Sequence, residues 1–102
     1  MATIILKQGD ATTITETITG LSALTGYTPK LYIKTMAGVE VDTVTGSVNG
    51  LVVSYDIVNE DSKVYPIGMH RYETKIFDDS DHVYTPSEGY FIVESALNTD
   101  PS

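Results

Sequence analysis

The feature that most constrains this chain is the alternation of side chains over residues 69–77. Charged and uncharged residues take turns there with a period of two, which is the period of a half-buried β-strand. The charged set is Arg71, Glu73 and Lys75, and the uncharged, mostly apolar set is Tyr72, Thr74 and Ile76. A helix would repeat about every 3.6 residues. The segment therefore predicts a strand with one face in a core and the other in water.

Other segments repeat this alternation, and turn signals separate them. Residues 12–19 are β-branched at nearly every site, although Glu16 interrupts them and indicates an edge strand or one open to water. Leu31 and Ile33 oppose Lys30, Tyr32 and Lys34 along a third segment. A fourth places one set toward the core, namely Leu51, Val53, Tyr55 and Ile57. Turns are predicted at residues 8–10, 37–38, 49–50 and 78–81.

This pattern predicts an all-β fold of about seven short strands. Residues 59–63 can hold one helical turn, and the last strand is expected over residues 90–94, after a lead-in that contains Pro86. Short strands between turns, without a convincing amphipathic helix, are typical of an antiparallel β-sandwich or a barrel. We favour the sandwich, and the barrel is its main rival.

Length and composition limit the classes of protein. The 102 residues are enough for one domain, residues 1–102, whose last residues 95–102 have the composition of a flexible tail. There is no cysteine, so disulfides and thiolate chemistry are excluded. We expect neither a secretory signal nor a membrane span. The net charge of −8 disfavours binding to nucleic acid and favours solubility.

The sequence contains no convincing catalytic or metal-binding constellation. Its two histidines, His70 and His82, lack the spacing of metal ligands, and no serine lies in a nucleophile motif. Asp78, Asp79 and Asp81 could offer oxygen ligands to Ca²⁺, but the EF-hand pattern fails after Asp78. A hairpin tip bonded by its own side chains is the better interpretation. We predict no enzyme activity, no cofactor and no metal.

Seven tyrosines, against two phenylalanines and no tryptophan, make this class of side chain conspicuous. Tyrosine can bury its ring and leave its hydroxyl in water, which suits interfaces as well as cores. Tyr55, Tyr72 and either Tyr27 or Tyr90 are expected in the core. The candidates for contact with another subunit lie on the polar side of one strand and are Lys30, Tyr32 and Lys34.

Three segments also resemble a module of tailed-bacteriophage structural proteins. They are Leu-Thr-Gly-Tyr at residues 24–27, Pro-Ile-Gly followed by Tyr at residues 66–72, and Gly-Tyr-Phe-Ile-Val at residues 89–93. The pattern is similar to the N-terminal domain of upper baseplate proteins and to related head-fibre and decoration modules. The likeness spans roughly residues 4–97. It implies an immunoglobulin-like sandwich.

The resemblance also implies a function and a place. It predicts a non-enzymatic virion protein, made in the bacterial cytoplasm, that decorates the capsid or serves in the tail or baseplate. Its partners would be other virion proteins, with many copies in a lattice or a homo-oligomer, and not nucleic acid or membrane. Because this sequence stops at Ser102, a small component is expected rather than an adaptor with a distal arm. The alternative is a carbohydrate-binding module for host attachment, which would need exposed aromatic rings on one face.

Overall fold

Two β-sheets face each other across a single apolar core. The computed structural model describes residues 2–80 and 82–97, and all statements on the fold refer to them. The eight strands found there are β1 Ala2–Lys7, β2 Thr12–Thr17, β3 Thr28–Thr35, β4 Glu40–Thr45, β5 Ser47–Asn49, β6 Val52–Ile57, β7 Gly68–Phe77 and β8 Val83–Glu94. A one-turn helix, α1 Asn59–Ser62, lies between β6 and β7.

The strand order is that of an immunoglobulin-like sandwich. One sheet has five strands in the order β1-β8-β7-β3-β4, and the other has three in the order β2-β6-β5. The sandwich prediction is confirmed. All pairs are antiparallel except one, because β1 runs parallel to β8. This exception was not foreseen; it is possible because β1 continues into β2 of the opposite sheet, so no tight turn joins β1 to β8.

The predicted alternation decides which side chains fill the core. On β7 the even positions from His70 to Ile76 are buried, whereas the charged odd positions face outward. On β6 the core-facing set is confirmed as well, since Val53, Tyr55 and Ile57 are buried. Burial of each large aliphatic side chain stabilises the fold by about 1.5–3 kcal/mol. The alternation therefore fixes the register of each strand, because a slip by one residue would turn its apolar set toward water.

The start of β8 was predicted wrongly. The strand begins at Val83, seven residues before the expected start at Tyr90, and it includes Pro86. Ile76 pairs with Tyr84 and Thr74 pairs with Ser87, so two residues of β8, Thr85 and Pro86, oppose only Lys75. This is a β-bulge, where the missing N–H of proline does not break the ladder. Pro86 marks an irregularity inside the strand and not the boundary that the sequence predicts.

The helical turn predicted at residues 59–63 is confirmed as α1 and holds the β1–β2 turn in place. The Ser62 hydroxyl, which is fully buried, donates to the carbonyl of Asp10 at 2.7 Å. The Asn59 amide donates to the carbonyl of Gly9 at 2.6 Å. These bonds satisfy backbone acceptors that the turn leaves unpaired. The tail predicted over residues 95–102 follows β8, and residues 98–102 lie outside the described part of the chain.

Candidate functional site

The three predicted interface residues lie on the outward side of the five-stranded sheet. Lys30, Tyr32 and Lys34 alternate along β3 with buried neighbours, so their side chains point away from the core. Their partners on β7 are Lys75, Glu73 and Arg71, in that order. We call this side of the sheet the outer face. It is defined by the outward residues of its strands, chiefly Ile5, Lys30, Tyr32, Lys34, Met69, Arg71, Glu73, Lys75, Glu88, Tyr90 and Ile92.

A groove of about 250 Å³ crosses the outer face. Tyr32 and Lys34 line it, together with Arg71, Glu73 and Glu88. The structure therefore brings two of the three predicted residues together. Lys30 lies outside the groove, and its ammonium stands 5.8 Å from the centre of the Phe77 ring, within the range of a cation–π contact.

An apolar row borders this groove and was not anticipated. The register places Ile5 of β1 beside Ile92 of β8, and Ile92 beside Met69 of β7. Ile5 is 60% exposed and Met69 is 50% exposed. Isolated exposed apolar residues are common, but neighbours on three adjacent strands form a patch. The alternation within each segment indicates which residues point outward. It does not show that Ile5 lies beside Ile92, because this contact depends on the parallel pairing of β1 with β8.

The outer face also gathers the positive charge of the molecule. Five of the six Lys and Arg residues lie on it, namely Lys7, Lys30, Lys34, Arg71 and Lys75. Four carboxylates share this face: Glu40, Glu73, Glu88 and Glu94. The rest of the sequence has one cation and ten acids. The face is thus nearly neutral on an otherwise strongly acidic protein, which lowers the electrostatic cost of bringing it against another protein.

The two histidines lie apart, His70 near the start of β7 and His82 in the loop between β7 and β8. The His70 ring is buried, and its Nε2–H donates to the carbonyl of Pro66 at 2.7 Å. Its other nitrogen, Nδ1, is buried without a hydrogen-bond partner in the structure. The exposed His82 donates from Nδ1 to the carboxylate of Asp78 at 2.9 Å. In residues 2–80 and 82–97 no group of three or more potential ligands is placed to hold a metal ion.

The tip of the β7–β8 hairpin is closed by Asp78. Its Oδ1 accepts hydrogen bonds from the backbone N–H groups of Ser80 and His82, each at 3.0 Å. The predicted self-bonded turn is confirmed here, while Asp81 lies outside the described residues. The hydrogen bond from the His82 ring, supported by the two backbone bonds, lowers the pKa of Asp78 below its ordinary value. The tip is thus stabilised by a carboxylate that remains ionised.

The core positions predicted for Tyr55 and Tyr72 are confirmed, and the one predicted for either Tyr27 or Tyr90 is wrong. Tyr55 and Tyr72 are buried, whereas Tyr27 and Tyr90 are only half-buried. Tyr65 belongs to the core although the sequence places it in an irregular segment. Its ring packs edge-to-face against Phe91, and its hydroxyl donates to the carboxylate of Asp42. Pro66 predicts a bend in the chain, but no local pattern indicates that the preceding Tyr65 is buried in the core.

A polar cluster lies between the two sheets beneath the β2 edge. The Ser87 hydroxyl donates to Oε2 of Glu16 at 2.9 Å, and the Tyr55 hydroxyl lies 3.5 Å from Oε1. Thr74, which is buried, shares a 2.9 Å hydrogen bond with Ser87. Burial, and then the negative charge of Glu16, raise the pKa of Tyr55 above its ordinary value. The cluster holds one carboxylate in a fixed position at the rim of the core.

Comparison with known proteins supports the fold and does not define a family. One similar solved structure is the crystal structure of a "putative glycoside hydrolase" from Bacteroides vulgatus ATCC 8482, with a TM-score of 0.57 and 15% sequence identity. The alignment covers 91% of this chain and 16% of that one, so the chain spans about a sixth of the other protein. At this identity the likeness concerns the sandwich alone. No family model and no curated protein matches the sequence.

Among the described residues, no helix has the length and apolar character needed to cross a bilayer.

Proposed function

We propose that this protein is a non-enzymatic structural component of a bacteriophage virion that binds other virion proteins through its outer face. The observation that carries the proposal is the apolar row of Ile5, Ile92 and Met69 beside the groove of Tyr32 and Arg71. An apolar centre with aromatic and arginine neighbours and a charged rim is typical of protein–protein interfaces. The resemblance of the sequence to phage modules supplies the virion context.

The charge of the outer face indicates what kind of surface it would contact. Lys30, Lys34, Arg71 and Lys75 stand in neighbouring positions on β3 and β7, so this part of the charged rim favours carboxylates on a partner. The remainder of this chain is itself rich in carboxylates. Copies could therefore also bind one another, each presenting its outer face to an acidic side of the next. In a symmetric particle, many such weak contacts add through multivalency.

Electron cryomicroscopy of purified particles of a phage that encodes the chain tests this proposal. Density that fits the sandwich and repeats over the shell would identify a decoration or head-fibre protein. Density confined to the tail would identify a tail or baseplate component. Particles that lack the chain, together with a purified protein that remains monomeric and binds no virion protein, would overturn the proposal.

A pair of variants tests the role of the outer face. Met69→Asp places a charge at the β7 end of the apolar row, whereas Val52→Asp makes the same kind of change on the three-stranded sheet, where Val52 is 39% exposed. We expect Met69→Asp to reduce incorporation into particles by about tenfold or more, since interface centres carry most of the binding energy. Val52→Asp should leave incorporation unchanged. Equal behaviour of the two variants would exclude the outer face as the contact.

A carbohydrate-binding module remains the second candidate, because two tyrosines flank Arg71 on the outer face. Tyr90 pairs with Arg71 on β8, and Tyr32 pairs with the neighbouring Glu73 on β3. Aromatic rings can stack on sugars, and neighbouring charged groups can hydrogen-bond to sugar hydroxyls. A glycan array would return a defined ligand that Tyr32→Ala abolishes. Silence across a broad array would count against this candidate.

A further inference from the structure

A pocket opens at the side of the sandwich, away from the outer face. In the described residues, β1 pairs with β8 only from Gly89 onward, so the first half of β8 is an edge on that side. β2 is the edge strand of the other sheet. The space between these two edges measures about 360 Å³ and is lined by residues 16–21, Ile76 and residues 84–86. The sandwich is open here because β1 covers only half of β8.

The carboxylate of Glu16 lines this pocket from β2. Thr13, Thr15 and Thr17 are exposed, so the intervening positions of the strand, including Glu16, point inward. The hydrogen bonds from Ser87 and Tyr55 described above hold the carboxylate at the rim of the core. A carboxylate that is held in place and partly withdrawn from water attracts a cation more strongly than one on the open surface.

No cation of the described residues neutralises this carboxylate. Within residues 2–80 and 82–97, Glu16 has no Lys, Arg or His nitrogen within 4 Å. The Lys75 ammonium contacts the lining of the pocket, because it donates a hydrogen bond to Oγ1 of Thr85 at 3.1 Å. The same ammonium lies 3.8 Å from the carboxylate of Glu73, so its ion pair is with a residue of the outer face. The pocket therefore presents a negative charge that residues 2–80 and 82–97 leave without an ion pair.

The other walls suit the apolar stem of a basic side chain. Tyr84 lies opposite Ile76 in the register and is 42% exposed where the sandwich is open. Its ring packs edge-to-face against Tyr27, with 6.1 Å between the ring centres. Aromatic rings attract ammonium and guanidinium groups, and the methylene stems of Lys and Arg pack on apolar walls. Ile76 and Pro86 complete an apolar lining next to the carboxylate.

We propose that this pocket binds an arginine or lysine side chain of a partner protein, with the cationic head on Glu16 and the stem along Tyr84 and Pro86. The net charge of −8 would draw basic segments toward the protein. The volume of the pocket is at the small end for ligand sites, as expected for a single side chain. The inference does not depend on the virion proposal, because the pocket lies apart from the outer face.

Nuclear magnetic resonance titration of the labelled full chain tests the site. N-acetyl-arginine amide and N-acetyl-lysine amide serve as probes, and N-acetyl-glutamine amide is the neutral control. We expect saturable shifts in the backbone amides of residues 16–21 and 84–85 with one or both cationic probes, and none with the neutral one. The stronger of the two cationic probes tells whether the site takes a guanidinium or an ammonium group.

Glu16→Gln removes the charge but keeps one oxygen, which can accept from Ser87 or from Tyr55. We expect affinity for the stronger probe to fall about tenfold, in line with the loss of a charge-assisted hydrogen bond. Glu60→Gln, on α1, removes an equal charge from an exposed position and should leave affinity unchanged. If Glu16→Gln does not fold, Tyr84→Leu provides the second test, since it retains the charge and should still weaken binding.

Three results would overturn the proposal: shifts that are not localised to the pocket, an equal response to the neutral amide, or undiminished binding in the folded Glu16→Gln protein. None of them bears on where the chain sits in a particle. Conversely, absence of the chain from virions would leave a positive titration intact.

Discussion

Gly46 lies where the chain passes close to β6, between β4 and β5. A Cβ atom at this position would come within 2.8 Å of the Ser54 carbonyl oxygen and of two carbons of the Tyr55 ring. Because the obstructing atoms belong to backbone and to a fully buried ring, they have little room to move. We expect Gly46→Ala to lower the free energy of unfolding by about 1–3 kcal/mol. Urea denaturation measures this change.

Thr45→Ala is the matched control, since Thr45 is the exposed neighbour of Gly46 at the end of β4. It should change stability by less than about 0.5 kcal/mol. A stable Gly46→Ala protein would mean that β5 can shift away from β6 at little cost.

Two buried tyrosine hydroxyls make the fold sensitive to alkali. Burial is the main cause that raises the pKa of Tyr55 and of Tyr65, followed by Glu16 for the first and by the hydrogen bond to Asp42 for the second. In the unfolded chain both groups ionise near pH 10. Their contribution to stability is therefore complete below pH 10 and decreases as the pH rises above it, toward the raised values.

Denaturation midpoints measured from pH 8 to pH 11 test this dependence. We expect a flat region followed by a decline above about pH 10, and a shallower decline in Tyr65→Phe, which has one ionisable group fewer. Equal slopes for the two proteins would show that Tyr65 ionises alike in the folded and unfolded states.

At the scale of the element, β3 shows how strongly position within a strand decides the effect of a substitution. Ile33 has no exposed surface, whereas the adjacent Lys34 points to water. Ile33→Ala should cost about 2–5 kcal/mol because it leaves a cavity between the sheets. Lys34→Ala should cost less than about 0.5 kcal/mol. Guanidinium denaturation of both variants provides the measurement, and similar losses would contradict the assigned register.

The β7–β8 hairpin gives a prediction for acid pH. Since the pKa of Asp78 is lowered, its contribution is present above the unfolded value near 3.9 and is lost as the pH falls through the lowered folded value. Asp78→Ala should destabilise the tip at neutral pH, because the N–H groups of Ser80 and His82 lose their acceptor. Asp79→Ala, at an exposed neighbour, is the control.

A titration of the aspartate carboxyl groups by nuclear magnetic resonance reports the pKa of Asp78 directly. We expect this value to rise in His82→Ala, since the ring donates the largest favourable hydrogen bond. An unchanged value would mean that the backbone donors alone set it.

At the scale of the whole molecule, local pattern predicted most of the sandwich. Period-two alternation located the inward faces of β3, β6 and β7, and the turn predicted at Asn49-Gly50 is found between β5 and β6. The short strand β5 at Ser47–Asn49 was not predicted. Glu16 was correctly associated with an edge strand, because β2 borders the three-stranded sheet. These features depend on residues that are close in sequence, so the local pattern of residue types is enough to predict them.

The candidate sites were only partly predictable, because they join residues far apart in the chain. Tyr32 and Lys34 could be assigned to an outward face, but Ile5 and Met69 are placed on either side of Ile92 only through the pairing of β8 with β1 and β7. Glu16 and Ser87 are likewise brought together by packing of the two sheets. The periodicity of side chains within one segment contains no information about contacts between distant segments. The long-range approach of edge strands must be seen in three dimensions.

The parallel pairing of β1 with β8 also determines how the protein would bear mechanical load. Ala2 lies beside Gly89 and Lys7 beside Glu94, so the start of β1 and the end of β8 are at opposite ends of the paired region. Tension applied between Ala2 and Glu94 would slide the two strands past each other. All hydrogen bonds between them would then share the force at once, instead of breaking one after another. The protein would therefore resist tension between these two ends more strongly than a pull that peels β1 away from β8.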